Sequence, residues 1–351
     1  MSNHKIILNH QFDKSNMQLA IKQFPEQISE SFQIMSDWDI NRIYENIHNI
    51  LIIGMGGSAI GGDVAKALAQ NDCKLPILVN RSYNIPEWVS ENTLIIASSY
   101  SGSTEETLSA YKQCRDKKCS IIVLTTGGDI GDYADKFHLD KIVIPSGYQP
   151  RAALGFSFTL ILILLNKLGF IKESILKTVR DTVEPLKDLS KKMIGDGNSA
   201  LTFAKQIYKT CPIIYGSQDL TWVAALRFRG QLAENSKMLS FHNNFPEQNH
   251  NEIEGWTCNE NIMSKLSIIW LKDKADHFGV ESRMRISSEL LFSKPCLQLN
   301  IEQSGDTRSE RLLKIIHFTD WISFYAALLN EVDPTPVKRI QELKSKILQE
   351  K

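Results

Sequence analysis

Two short polar turns, each set between an apolar run and an amphipathic stretch, constrain this chain more than any other feature of its sequence. Ile50-Leu51-Ile52-Ile53 hands over through Gly54-Met55-Gly56-Gly57-Ser58 to a stretch through Ala59, Ile60 and Val64. Leu94-Ile95-Ile96-Ala97 hands over through Ser99-Tyr100-Ser101-Gly102-Ser103-Thr104 to one through Leu108 and Tyr111. Each reads as a buried strand, a tight turn and a helix. At the start of such a helix the backbone N–H groups lack intrahelical acceptors, glycine lets the backbone come close, and hydroxyls donate to oxygen. Together the turns predict one cradle for the phosphate of a small ligand. A plainer reading makes Ser103 and Glu106 a capping box, with Ser101 and Thr104 as ordinary turn residues. A cap uses one hydroxyl, whereas Ser99, Ser101, Ser103 and Thr104 offer four beside a glycine, so capping explains only part of the pattern.

The rest of the chain fits the same plan. Expected strands are Ile50–Ile53, Ile77–Asn80, Leu94–Ser98, Ile121–Thr125 and Ile142–Ile144, with helices near Ala59–Ala69, Thr104–Lys117 and Ile130–Lys136. Continuous apolar strands separated by helices imply an α/β fold, a doubly wound parallel sheet covered on both faces. Asp13 to Ser36 reads as an amphipathic leading helix. A helical stretch from Ala152 to Lys192 ends in the linker Gly195-Asp196-Gly197-Asn198. The order then restarts: Ile213-Ile214-Tyr215-Gly216-Ser217 echoes the first turn, followed by strands at Leu266–Trp270 and Cys296–Asn300 and a helix at Ser282–Leu291. Thr335-Pro336 reads as an N-cap and first helical position, opening a last helix to about Gln349. The expected domains are an N-terminal helical segment (1–45), a first parallel-sheet domain with the cradle (46–192), a second, diverged one (193–334) and a C-terminal helix (335–351).

At 351 residues the chain is long for a single core, which agrees with two domains. Lys plus Arg equals Asp plus Glu at 40 each, so no global charge draws it to nucleic acid or an anionic membrane. The six cysteines form no Cys-x-x-Cys pair, which argues against a disulfide framework or cysteine-zinc site and favours reduced thiols in a cytoplasm. The first ten residues lack the apolar core of a secretory signal. The greasiest segment, Ala152 to Leu165, falls short of the roughly 18 apolar residues of a membrane span and reads as a buried helix.

Gly54-x-Gly56-x-x-Ala59 also matches a dinucleotide fingerprint between strand and helix. That fingerprint wants an acidic residue at the end of the next strand, where this chain has Asn80-Arg81, and it leaves the second hydroxyl cluster without a role. A nicotinamide-dependent enzyme is therefore the weaker reading.

Four positions outside the cradle have side chains suited to chemistry. Glu234, in Leu232-Ala233-Glu234-Asn235-Ser236-Lys237, sits at a helix end where the macrodipole opposes a carboxylate and favours a general base; a solvated Glu234–Lys237 pair fits the spacing equally. His250, in Asn249-His250-Asn251-Glu252, lies in a polar loop and is either a proton shuttle or a surface histidine. His242, Glu247, Glu252 and Glu254 lie near it, but no metal-ligand spacing links them, and no metal is expected. Lys338 falls in the first turn of the last helix, where a cation is disfavoured by up to about 1 kcal/mol, a local conflict that marks a site. Arg151 follows Pro150 after a strand, at the carboxyl end where parallel sheets bind ligands, and reads equally as a helix-start arginine without a ligand.

Gly56-Gly57-Ser58, Ser99 to Glu106, Pro150 to Gly155, Glu234 to Lys237, Asn249 to Glu252 and Asp333-Pro334-Thr335-Pro336-Val337 together resemble the bifunctional phosphoglucose/phosphomannose isomerases, proteins with two sugar-isomerase (SIS) domains. The resemblance runs from about Ile50 to the C-terminus in the family's order. It implies two doubly wound SIS domains and an aldose–ketose isomerase, free of metal or cofactor, for glucose 6-phosphate, fructose 6-phosphate and mannose 6-phosphate. By the same resemblance Gly57, Ser58, Ser99, Ser101 and Thr104 hold the phosphate, Arg151 stabilises the enediolate, Glu234 moves the proton between C1 and C2, and His250 and Lys338 assist ring opening and proton transfer. It further implies a homodimer in which His250 serves the neighbouring site. A non-catalytic sugar-phosphate-binding protein would share the cradle and normally carry a DNA-binding module, not evident in the first 45 residues. An aminosugar isomerase would usually need a glutamine-hydrolysing domain.

Overall fold

The computed structural model describes residues 10–195 and 197–350, so Asp196 of the expected linker and the first nine residues lie outside the described residues. Its elements, in chain order, begin with α1 (Met17–Lys22), α2 (Phe24–Ser36), β1 (Asn49–Ile53), α3 (Gly56–Ala69), β2 (Ile77–Asn80), β3 (Thr93–Ser99), α4 (Glu105–Asp116), β4 (Ser120–Thr125), α5 (Gly128–Lys136) and β5 (Asp140–Val143). There follow α6 (Leu154–Lys167), α7 (Glu173–Asp181), α8 (Val183–Lys192), α9 (Ser199–Ile207), β6 (Cys211–Ser217), α10 (Trp222–Glu234), β7 (Phe241–Phe245), α11 (Glu260–Met263), β8 (Leu266–Lys272), α12 (Phe278–Leu290), β9 (Leu297–Glu302), α13 (Arg308–Leu329) and α14 (Lys338–Gln349).

The chain divides into two compact units. The first comprises Lys22–Asp188 and Ser304–Leu313. Its sheet runs β2-β1-β3-β4-β5, every pairing parallel. The central strands bury nearly every side chain (Ile50, Ile52, Ile53, Leu94 to Ala97 and Ile122 to Leu124 are wholly inaccessible), as expected of a sheet covered on both faces. The segment leading into this unit is two helices rather than one. Pro25 sits in the first turn of α2, where its missing N–H costs nothing, and the chain breaks just before it. Helix α2 packs on α6, with Phe24 and Phe158 ring centroids 6.2 Å apart, and so joins the first unit. Residues 304–313 join it through Arg308 Nε, which donates to the Ala67 carbonyl at 3.2 Å, and a 2.8 Å hydroxyl contact between Ser309 and Thr178. The helical stretch expected from Ala152 to Lys192 is a 3-10 turn (Pro150–Ala152) followed by three helices, α6 to α8.

The second unit comprises Leu189–Gln303, Lys314–Lys351 and the described residues up to Ile21. Its parallel sheet, β7-β6-β8-β9, has the 2-1-3-4 order of the first four strands of the other sheet. The plan thus recurs. Helix α13 is long and apolar enough to cross a membrane by length and composition, yet 94% of that window is buried inside the protein, as in a core helix. The last helix starts at Lys338 with Val337 before it, two residues later than Thr335-Pro336 suggested. Thr335 instead gives its N–H to Asp333 Oδ1 at 2.9 Å, closing a turn ahead of the helix.

Candidate active site

The carboxyl ends of β1 and β3 lie side by side, since Ile53 pairs with Ala97. The two polar turns therefore emerge together. Tyr100 N–H donates to Ser58 Oγ at 3.1 Å, joining them directly. Ser99 Oγ donates to Thr104 Oγ1 at 3.4 Å, and Ser101 Oγ lies 3.4 Å from the same oxygen, so three hydroxyls converge at the start of α4. Ser103 does not join them. Its Oγ accepts the Asp129 N–H at 3.5 Å at the start of α5, while Thr104 occupies the N-cap position of α4 without a side-chain cap bond. The plainer reading, a capping box of Ser103 and Glu106, is thus not met among the described residues, since the N-cap is Thr104.

Arg151 reaches the same edge. A Cβ on Gly57 would lie 2.4 Å from the Pro150 carbonyl oxygen and 3.0 Å from Arg151 N, so only glycine lets α3 start against the Pro150-Arg151 turn. Arg151 itself is buried. Two groups that the sequence did not single out hold this turn. Tyr100 Oη donates to the Pro145 carbonyl (2.9 Å) and accepts Tyr148 N–H (3.0 Å), bracing the loop that leads to it. Gln27, fully buried in α2, donates Nε2 to the Ala152 carbonyl at 2.7 Å and accepts Gly155 N–H on Oε1 at 3.0 Å. The third strand–helix turn, Gly127-Gly128 after β4, also packs on the cradle: Gly102 (φ +76°) lies so close that a Cβ there would overlap the Gly127 carbonyl. A glycine pair after an apolar strand was the available signal for it.

In the second unit Glu234 is the last residue of α10 and is half-buried. The turn that follows it is bolted to α13. Asn235 Nδ2 donates to Ser323 Oγ (3.0 Å), Ser236 Oγ to the Ser323 carbonyl (2.7 Å), and Asn330 Nδ2 to the Ser236 carbonyl (3.0 Å). One and two turns back along α10, Gln231 and Arg227 grip Asp320, the arginine in a two-pronged buried ion pair at 3.0 and 2.6 Å. Lys237 Nζ donates to the backbone carbonyls of Glu234 (2.5 Å) and Pro334 (3.4 Å), bringing the Asp333–Val337 segment beside the Glu234 turn. Lys338, exposed, opens α14 just beyond it.

His250 is set apart from these. Sulfur of Cys211, at the start of β6, bonds the Leu239 carbonyl at 3.4 Å, and Gln218 N–H, past the end of β6, bonds the Phe245 carbonyl at 2.9 Å. Strand β7 therefore runs from the edge where α10 ends to the opposite edge, five residues and about 16 Å away. The exposed His250 follows there, closing the 3-10 turn Glu247–His250. His242, inside β7, is held neutral by burial and by Arg229, its pKa pushed down to about 4. Among the described residues no group of three or more His, Cys, Asp or Glu is placed to hold a metal ion.

Two parallel-sheet units of one plan, with two hydroxyl-bearing turns meeting at the strand ends of the first, define a double SIS-domain protein. Residues 196–347 match the model of the bacterial phospho-glucose isomerase C-terminal SIS domain. In fold alone, the C-terminal domain of glucosamine-fructose-6-phosphate aminotransferase from Francisella tularensis is similar, with a TM-score of 0.67 over 90% of this chain and 97% of that one at 15% identity. A bifunctional phosphoglucose/phosphomannose isomerase of Caldicellulosiruptor bescii is 41% identical over 332 residues, 93% of this chain and 98% of that protein. Another, of Aquifex aeolicus, is 31% identical over 92% and 97%. The chain belongs to the bifunctional phosphoglucose/phosphomannose isomerase family.

Proposed function

We propose that this chain is an aldose–ketose isomerase that interconverts glucose 6-phosphate, fructose 6-phosphate and mannose 6-phosphate through a shared enediolate. The observation that carries the reading is the cradle, where Ser58 is tied to the Tyr100 amide and Ser99, Ser101 and Thr104 converge at the start of α4. A helix start with free N–H groups and clustered hydroxyls suits a phosphate dianion. Gly57, Ser58, Ser99, Ser101 and Thr104 are assigned to the phosphate.

The remaining roles follow from what the reaction demands. His250 and Lys338 assist ring opening, which moves a proton from the anomeric hydroxyl to the ring oxygen. Glu234 then takes the C2 proton of the open aldose as O1 gains one, giving the enediol; returning the proton to C1 while O2 loses its own gives the ketose. The positive charge of Arg151 stabilises the oxyanion that develops at O1 and O2. Return of the proton to either face of C2 yields glucose or mannose phosphate. Because β7 separates the Glu234 turn from His250, the histidine is assigned to the site of a second copy, and the working form to a homodimer. The six free cysteines fit a reducing cytoplasm. Coupled assays of the purified protein with glucose 6-phosphate and mannose 6-phosphate, with and without a chelator, test the reading. Turnover of both sugars unaffected by chelation is expected; binding of both without turnover would make the chain a sugar-phosphate sensor.

A further inference from the structure

We propose that Glu252 is a positioning residue for His250, its carboxylate fixing the loop that presents the imidazole; the catalytic part of this inference rests on the proton-transfer role given to His250. The two strands beneath the loop are built to receive that carboxylate. Tyr215 on β6 and Asn243 on β7 are register partners, so their side chains leave the sheet on one face. Each takes one oxygen of Glu252: Tyr215 Oη donates to Oε1 in a very short bond, and Asn243 Nδ2 donates to Oε2 at 2.6 Å.

Tyr215 cannot drift. It is wholly buried, packs on Phe245 and Trp270 with ring centroids 5.9 and 5.1 Å away, and accepts Trp256 Nε1–H at 3.2 Å. The carboxylate thus ties a pair of 3-10 turns to two paired strands of the sheet, one of them through the wholly buried Tyr215. Between anchor and histidine the chain is short and tied: Asn251 Oδ1 accepts Glu252 N–H (2.6 Å), and Asn251 Nδ2 donates to Glu247 Oε1 (2.8 Å). On the other side Asn249 Nδ2 donates to Ser287 Oγ of α12 at 2.8 Å. His250 is exposed between these fixed neighbours, and among the described residues its ring makes no hydrogen bond. Its placement is therefore set by the loop. Glutamine at 252 keeps the size but turns one acceptor into an NH2 that meets a donor, and it removes the charge that strengthens both bonds.

The test is a double-mutant cycle of Glu252→Gln and His250→Ala on the full-length chain, read as kcat/KM for glucose 6-phosphate and mannose 6-phosphate. Alone, Glu252→Gln should cost about tenfold to a hundredfold, as for a catalytic group displaced by about an ångström. Added to His250→Ala it should change the residual rate by no more than about twofold, because the residue acts through the histidine. The inhibition constant of inorganic phosphate should stay unchanged. An equal loss in both backgrounds would overturn the proposal. Asn243→Ala, which removes one anchor at the sheet edge, gives the same cycle should Glu252→Gln fail to fold. Amide hydrogen exchange separates this from the activity itself: Glu252→Gln should speed exchange at Asn249 to Asn251 even if no hexose 6-phosphate is turned over. Unchanged exchange there would refute the positioning role, whereas absent turnover in the wild-type chain would refute the isomerase reading alone.

Discussion

Ser58 Oγ accepts the Tyr100 amide hydrogen at 3.1 Å, so one hydroxyl closes the seam between two strand–helix turns. Its loss should differ in kind from that of its neighbours. Ser58→Ala strands a partly buried N–H and should lower stability by about 1–3 kcal/mol as well as weaken phosphate binding. Ser101→Ala with Thr104→Ala should spare stability while kcat/KM falls by one to three orders of magnitude, at about 1.5–3 kcal/mol for each lost charge-assisted bond. Chemical denaturation alongside substrate kinetics separates the two patterns; equal behaviour would mean that Ser58 is not a seam.

Glu234→Gln preserves size and hydrogen bonding but cannot accept a proton from carbon. Activities on glucose and mannose phosphates should fall together by about 10²–10⁴-fold, since both pass through one enediolate, with phosphate inhibition retained. Unequal losses, or a rate above about a tenth of wild type, would remove Glu234 from the proton transfer.

Gln27→Ala leaves the Ala152 carbonyl and the Gly155 amide unpaired in the interior. About 2–4 kcal/mol of stability should be lost. Because the freed turn carries Arg151, kcat should drop more than KM rises. A urea melt with intact kcat would mean that Arg151 does not depend on this brace.

His317 on α13 is inaccessible and bonded to Ser190 and Trp321, and burial, reinforced by Arg227, pushes its pKa down to about 3. The folded protein therefore resists a proton that the unfolded chain accepts near pH 6.5. Stability from this group is complete above that pH and is lost as the pH falls toward 3, at about 1.4 kcal/mol per unit. His242, with its lowered pKa, adds in the same direction. Unfolding free energies from pH 7 to 4 should show a shallower slope in a folded His317→Gln variant; an identical slope would assign the acid sensitivity elsewhere.

What the sequence disclosed depended on how local the physics is. The hydroxyl cluster at the start of α4 was readable because strand, turn and helix follow one another within about a dozen residues and Ser99, Ser101 and Thr104 are near neighbours in sequence. Gln27 was not, since its partners lie 125 and 128 positions away and a buried glutamine looks like any helical polar residue. Strand β7 escaped notice because Phe241-His242-Asn243-Asn244-Phe245 is a half-exposed edge strand whose polar residues serve the Glu252 loop and so spoil the apolar signature. Helix α13 escaped for the opposite reason: buried all round, it has no polar face to give a helical period. The roles given to Glu234, His250, Lys338 and Arg151 come from chemistry and likeness.

Strand β7 sets Glu234 and His250 at opposite ends of one sheet, and this has a consequence for mixtures of damaged chains. If each histidine works for its neighbour, a hybrid of one Glu234→Gln chain and one His250→Ala chain gathers both faults into a single centre and leaves the other whole. Two preparations that are each severely impaired should then regain activity on exchange of subunits, to about a quarter of the normal rate when pairing is random. Genetically the two lesions would complement, so that inheritance of this activity would be a property of the pair rather than of either chain.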